Sequence, residues 1–154
     1  MNKKISIKKI KHDAEESYRV GDFFCSESII NSIRNNMIPE MPEEMIAVAS
    51  GFPVGVGKSK CLCGAVTGGV MALSYLFGRT KGGDAKVNKA LDLAFELQES
   101  FRANHKVLCC KVLTHGMDMG AKEHKDQCVA FTGEVAEKAA LIIARELGLE
   151  NIDE

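Results

Sequence analysis

Apolar residues recur every three or four positions along most of the chain, the spacing that places them on one face of an α-helix. Residues 8–20 read as a polar, weakly amphipathic helix that Gly21 stops. Asp22 can cap a second helix over about 24–37, in which Ile29, Ile30, Ile33 and Met37 share a face. Pro39 and Pro42 interrupt the pattern, and Pro42 suits the first turn of a short helix reaching Ala49. Residues 51–60 form the one long glycine-rich loop. A helix over about 62–78 follows, with Gly64, Gly68 and Ala72 spaced by four, and Gly78 and Gly82-Gly83 end it. Residues 84–103 form another helix, with Val87, Leu91, Ala94, Leu97 and Phe101 on one face. Residues 106–114 are apolar but too short to type. The last helix, about 122–147, buries Val135, Ala139, Ile142 and Ile143 and stops at Gly148. No strand-like alternation exceeds four residues, and no segment repeats another. The pattern predicts an all-α bundle of four or five main helices, one domain over residues 1–154.

Composition narrows the function classes. With 45% hydrophobic residues in 154, the chain can bury a core without disulfides and is not a disordered polymer. Twenty basic residues against 21 acidic ones leave no field for holding nucleic acid. No run approaches ~18 apolar residues, so no membrane span is expected. The basic start, Met1 to Lys9, leads into no apolar segment of a secretion signal, which points to the cytoplasm. Thiols stay reduced there unless they bind metal or do redox work. Six cysteines (Cys25, Cys61, Cys63, Cys109, Cys110 and Cys128) are therefore the feature to explain.

Gly57-Lys58-Ser59 invites a phosphate-loop reading, but Phe52 stands where that loop needs its first glycine and no strand precedes it. A loop that delivers Cys61 and Cys63 is the better account. Cys61-Leu62-Cys63 opens a helix, Cys25 falls in the first turn of its own, and Cys128 lies two residues past a candidate Asp126 cap. Helix beginnings favour thiolates. Gly64, Gly68 and Ala72 allow another helix to approach closely, bringing Cys63 towards cysteines on neighbouring helices. Adjacent Cys109 and Cys110 are expected to face different ways, one into a site and one into the core, since a disulfide between neighbours is strained. His105, His115 and His124 are candidate ligands or proton carriers, each more often structural. Zinc-finger spacing is absent, and Met37, Met41, Met45, Met71, Met117 and Met119 read as core fillers before soft-metal ligands.

Cys63-Gly64-Ala65-Val66-Thr67-Gly68, taken as Cys-Gly-Ala-x-x-Gly, resembles the signature of a family of redox-active proteins known by the pattern C…GCAxxG…C…C. The resemblance extends from about residue 14 to 145, through Cys25, the glycine-rich lead into Cys63, Cys110-Lys111-Val112-Leu113-Thr114, and Cys128. It implies that the family cysteines are Cys25, Cys63, Cys110 and Cys128, with Cys61 and Cys109 as additions. A related domain in split-Soret cytochromes is associated with an iron–sulfur cluster, and the resemblance extends that expectation to these four thiols. No Cys-x-x-Cys-His occurs, so haem attachment is not implied.

Four thiolates from different helices suit a soft-metal site: an iron–sulfur cluster first, zinc second, for electron transfer or redox sensing. The competing class is a metal-free thiol–disulfide oxidoreductase in which Cys63 and Cys110 act catalytically, and a structural zinc module is the third. The expected partner is another redox protein, with no nucleic acid and no membrane, and assembly as a homodimer is an open option. Within each close pair, Cys63 and Cys110 are expected to face the shared site, with Cys61 and Cys109 dispensable.

Overall fold

The computed structural model describes residues 1–153. Helix accounts for 65% of the chain, and the elements run β1 (Lys4–Ile5), α1 (Ile7–Arg19), α2 (Cys25–Asn36), α3 (Glu44–Ala49), α4 (Pro53–Val56), α5 (Gly64–Phe77), α6 (Lys86–His105), α7 (Cys110–Leu113), α8 (Lys122–Leu147) and β2 (Glu150–Asn151). This is the predicted all-α bundle. The one sheet among the described residues is a two-residue parallel tie, Lys4 opposite Glu150 and Ile5 opposite Asn151, which joins the two ends of the chain.

The long helices form where apolar spacing and end signals agree. Ser6 caps α1 by accepting a hydrogen bond from the Lys9 amide at 3.0 Å. Helix α8 ends at Gly148, whose φ of 65° is the left-handed closure that a glycine allows. α2 is capped differently from the expectation. Phe24, not Asp22, is the cap, and the Glu27 carboxylate accepts from the Phe24 amide at 3.2 Å, the reciprocal half of a capping box.

α1 lies along α8, α2 packs on α1, α5 and α8, and α5 sits between α2, α6 and α8. Their shared core contains Ile10, Ile29, Ile30, Ile33, Met37, Leu73, Leu97, Phe101, Ile142 and Ile143, all essentially sealed from water. Each buried methylene there is worth about 0.8 kcal/mol. Small residues set the closest crossing. A Cβ on Gly68 would stand 2.7 Å from the Ser26 Cα, so α5 meets the backbone of α2 there.

The face of α6 is rotated from its predicted one. Ala90, Leu93, Leu97 and Phe101 are buried, whereas Leu91 is 61% exposed. The reason lies on α5: Leu97 fills the space beside Gly69, where a Cβ would meet its Cδ2 at 2.6 Å, and this fixes the rotation of α6.

At the cysteine end the regularity stops. Residues 54–57 have φ of 57°, 60°, 52° and 57°, so the α4 segment is largely a left-handed turn and not the loose loop expected. Lys58 and Lys60 also have positive φ, 71° and 59°. The Cys61 amide donates to the Gly55 carbonyl at 3.1 Å, closing this turn beneath the entry to α5. The cradle of a phosphate loop is not formed. Among the described residues no helix is long and apolar enough to cross a membrane.

Candidate functional site

Cys25 is the first residue of α2, Cys63 the N-cap of α5, Cys110 the first residue of α7, and Cys128 the seventh of α8. All four line one open cavity of about 870 Å³ bordered by the end of α1, the starts of α2, α5 and α7, the first two turns of α8 and the left-handed turn. Cys61 and Cys109 do not line it. The expected division within each close pair is thus present in the geometry, with one difference. Cys109 is half-buried instead of part of the core, and its sulfur faces that of the exposed Cys61.

The small residues of α5 account for part of this convergence. A Cβ on Gly64 would sit 2.5 Å from the Cys25 sulfur, so that sulfur occupies the space a side chain at position 64 would take, next to Cys63. Close helix approach, read from the Gly64/Gly68 spacing, is what the structure shows. Cys63 is held in turn by its amide, which donates to the Leu108 carbonyl at 2.8 Å and ties the start of α5 to the segment leading into Cys110.

Burial governs the thiols. It pushes Cys25 well above the ordinary thiol range, with the neighbouring sulfurs of Cys63 and Cys128 adding to the effect. Burial likewise raises Cys128, to about 11, and raises Cys63 and Cys110. Opposing this, the Ala65 and Val66 amides at the start of α5 face the Cys63 sulfur, and the Lys60 ammonium acts on Cys110. The helix-start argument therefore applies to Cys63 but is outweighed by desolvation. It does not apply to Cys128, which lies in the second turn of α8, since that helix begins at Lys122 and not at Asp126.

Two further side chains reach Cys128. Tyr18 lines the same cavity, and its hydroxyl lies near enough to the Cys128 sulfur to act on that thiol. His124 accepts the Gly120 amide on Nδ1 at 3.1 Å, so its neutral ring carries the proton on Nε2, 3.5 Å from the same sulfur. Burial and the nearby Lys60 hold His124 below the ordinary histidine range, in keeping with that neutral form. Of the three candidate histidines, His124 alone lines the cavity. His105 is structural: it packs between Phe101 and Phe131 and meets the Glu134 carboxylate at 2.5 Å. Tyr18 had no sequence signal beyond being one of two tyrosines. Met119 lines the cavity, while Met37 and Met41 are core residues as expected.

Among the described residues no three His, Cys, Asp or Glu side chains stand close enough together to hold a single metal ion. The donor chemistry of the cavity is nonetheless soft, with four cysteines among its lining residues.

Residues 23–142 match the family described as "Putative redox-active protein (C_GCAxxG_C_C)". No curated protein and no solved structure matches the chain. The family signature reads Gly-Cys-Ala-x-x-Gly, whereas this chain reads Cys63-Gly64-Ala65-Val66-Thr67-Gly68, with the first two residues exchanged. The exchange has a spatial counterpart: a side chain at position 64 would project onto the Cys25 sulfur, and Cys63 reaches the same cavity from the N-cap. With the match spanning most of its length and Cys25, Cys110 and Cys128 in order around the signature, the chain belongs to the C_GCAxxG_C_C family of redox-active proteins.

Proposed function

We propose that this redox-active protein uses Cys25, Cys63, Cys110 and Cys128 as ligands to an iron–sulfur cluster, for electron transfer or redox sensing. The observation that carries the reading is that four cysteines, from four separate helices, line one largely apolar cavity. When bound, such a cluster supplies one-electron chemistry at a potential set by burial and by hydrogen bonds to sulfur. The chain provides both controls. Burial keeps water from the thiols, and His124 directs a hydrogen bond towards Cys128, with Tyr18 beside them on the cavity wall. A cluster spreads its cysteines over more than one iron, which suits sulfurs lining a wide cavity better than a single zinc would. Raised thiols also make poor free nucleophiles at neutral pH, so the metal-free oxidoreductase reading gains no support at Cys63 and Cys110. Ligation would displace those protons outright.

The deciding experiment is anaerobic reconstitution of the full chain with ferrous iron and sulfide, followed by desalting, metal and sulfide analysis and visible spectroscopy. The expected result is about two or more iron and sulfide per chain with broad visible absorption, as for a cysteine-ligated cluster. A colourless chain that retains neither iron nor sulfide would overturn it.

A further inference from the structure

Cys61 and Cys109 belong to no part of the cavity, yet they meet each other. Their sulfurs stand 2.8 Å apart, less than 1 Å beyond the bonded S–S length of about 2.04 Å. Cys61 is exposed and Cys109 half-buried, so reagents reach the pair from solvent. The backbone on either side is already joined: the Lys111 amide donates to the Lys60 carbonyl at 2.8 Å, and the Cys63 amide donates to the Leu108 carbonyl at 2.8 Å. The Cys109 thiol also points at the Lys60 carbonyl, at 3.6 Å. Two chain segments 48 residues apart are thus held in register with a thiol on each, and the sulfurs need approach by less than 1 Å to bond.

We infer that Cys61 and Cys109 form a second redox site, a reversible dithiol–disulfide couple on the outer side of the segments that deliver Cys63 and Cys110. Its oxidant is a small-molecule disulfide, RSSR. One thiolate of the pair attacks RSSR, releasing one RSH and leaving R attached to the protein through a mixed disulfide. The second thiolate then attacks the protein sulfur of that bond and releases the other RSH. Two electrons and two protons pass from Cys61 and Cys109 to RSSR, giving one protein disulfide and two RSH. Excess thiol reverses both steps. The closed bond would fasten the entry of α5 to the entry of α7 beside two of the cavity cysteines, so thiol status at the surface is coupled to the rigidity of the cavity wall. The couple needs no metal and stands whether or not the cavity holds a cluster.

The full chain, prepared without metal under anaerobic conditions, is equilibrated with graded ratios of oxidised to reduced glutathione, acid-quenched, alkylated and weighed by mass spectrometry. Cys61 shares a tryptic peptide with Cys63, and Cys109 with Cys110, so variants assign the bond. The wild type should lose two of its six alkylation sites in one two-electron step. Cys61→Ser and Cys109→Ser should each abolish the step, and Cys63→Ser and Cys110→Ser should each retain it. Six alkylated thiols at every ratio, a stable glutathione adduct in place of closure, or a bond that persists in Cys61→Ser would each overturn the proposal. Iron retention plays no part in this readout, so its result is independent of the cluster assignment.

Discussion

The two ends of α5 lie in different kinds of structure. Its body, from Gly68 to Phe77, sits among α2, α6 and α8 in a close-packed core of Ile, Leu and Ala built from regular helices. Its beginning stands among irregular segments: a left-handed turn at residues 54–57, a one-turn helix at α7, and the four thiols on a cavity wall. The body gains stability from burial that any well-packed apolar side chain can supply. The cysteine end instead accepts unfavourable backbone conformations and desolvated thiols, both of which oppose folding. Such groups persist when they position chemistry, and the body provides the stability that offsets them.

The largest effect separates the inner cysteines from the outer pair. Serine is a hard oxygen donor and a poor ligand for iron in a thiolate site. Serine at Cys25, Cys63, Cys110 or Cys128 should lower the iron and sulfide retained after anaerobic reconstitution by roughly tenfold or more. Cys61→Ser and Cys109→Ser should stay within about twofold of wild type, because neither sulfur faces the cavity. Equal losses from an inner and an outer variant would erase the distinction and make all six cysteines one site.

Two glycines one turn apart test the same boundary. Alanine at either position gains up to about 1 kcal/mol of helix propensity. At Gly68 the added methyl runs into the Ser26 backbone at 2.7 Å, which can yield only if α2 shifts, so Gly68→Ala should be destabilising by about 2 kcal/mol net in urea unfolding. At Gly64 the nearest atom is the Cys25 sulfur, the end of a side chain that can rotate away, with Phe52 O and Pro53 Cα at 3.1 Å. Gly64→Ala should therefore cost less stability than Gly68→Ala while displacing Cys25 and impairing cluster retention. The reverse ranking would show that α5 and α2 do not make their closest approach at Gly68.

The same contrast explains what the sequence made legible. Helical periodicity reports burial on one face, so the body was readable: α1, α2, α5, α6 and α8 lie where their spacing placed them, and Ile29, Ile30, Ile33 and Met37 are buried as expected. The rotation of α6 was not readable, because a helical stripe through Leu97 and Phe101 can include either Leu91 or Leu93, and only packing against α5 chooses Leu93. The Cys-x-Cys and Cys-Cys spacings, with the family pattern, pointed to the cysteines that line the cavity. Tyr18 and the facing of Cys61 towards Cys109 depend on contacts across 110 and 48 positions, which local spacing does not encode. The left-handed turn was hidden for another reason. Glycines at 55 and 57 permit positive φ, but Val54 and Val56 argue against it.

A smaller effect tests how completely the body is satisfied. Three serines of α2 are sealed from water. Ser26 donates to the Ala49 carbonyl at 2.8 Å and Ser32 to the Ile10 carbonyl at 2.7 Å, but the Ser28 hydroxyl has no partner among the described residues. A buried polar group without a partner opposes folding by about 1–3 kcal/mol, and alanine is also the better helix former. Ser28→Ala should stabilise the protein by about 1 kcal/mol, while Ser32→Ala should destabilise it by a similar amount. A destabilised Ser28→Ala would mean that its hydroxyl has a partner in solution and that the body is more fully hydrogen-bonded than described.

The smallest expected change lies in the turn itself. Val56 has a φ of 52° and is 41% exposed, so its side chain contributes little burial to set against its backbone. An L-residue in the left-handed region is disfavoured by roughly 1–2 kcal/mol, and β-branching stiffens it further. Glycine removes that strain but gives the unfolded chain more freedom, which returns about 0.5–1 kcal/mol. The difference predicts that Val56→Gly stabilises the protein by about 0.5 kcal/mol in urea unfolding. Cluster retention should be unchanged, because residues 54–57 would keep the same path beneath Cys61 and Cys63. If Val56→Gly instead weakens cluster retention while raising stability, the valine holds the turn in a conformation the thiols require. The strain at the cysteine end would then belong to the positioning of the site and not merely accompany it.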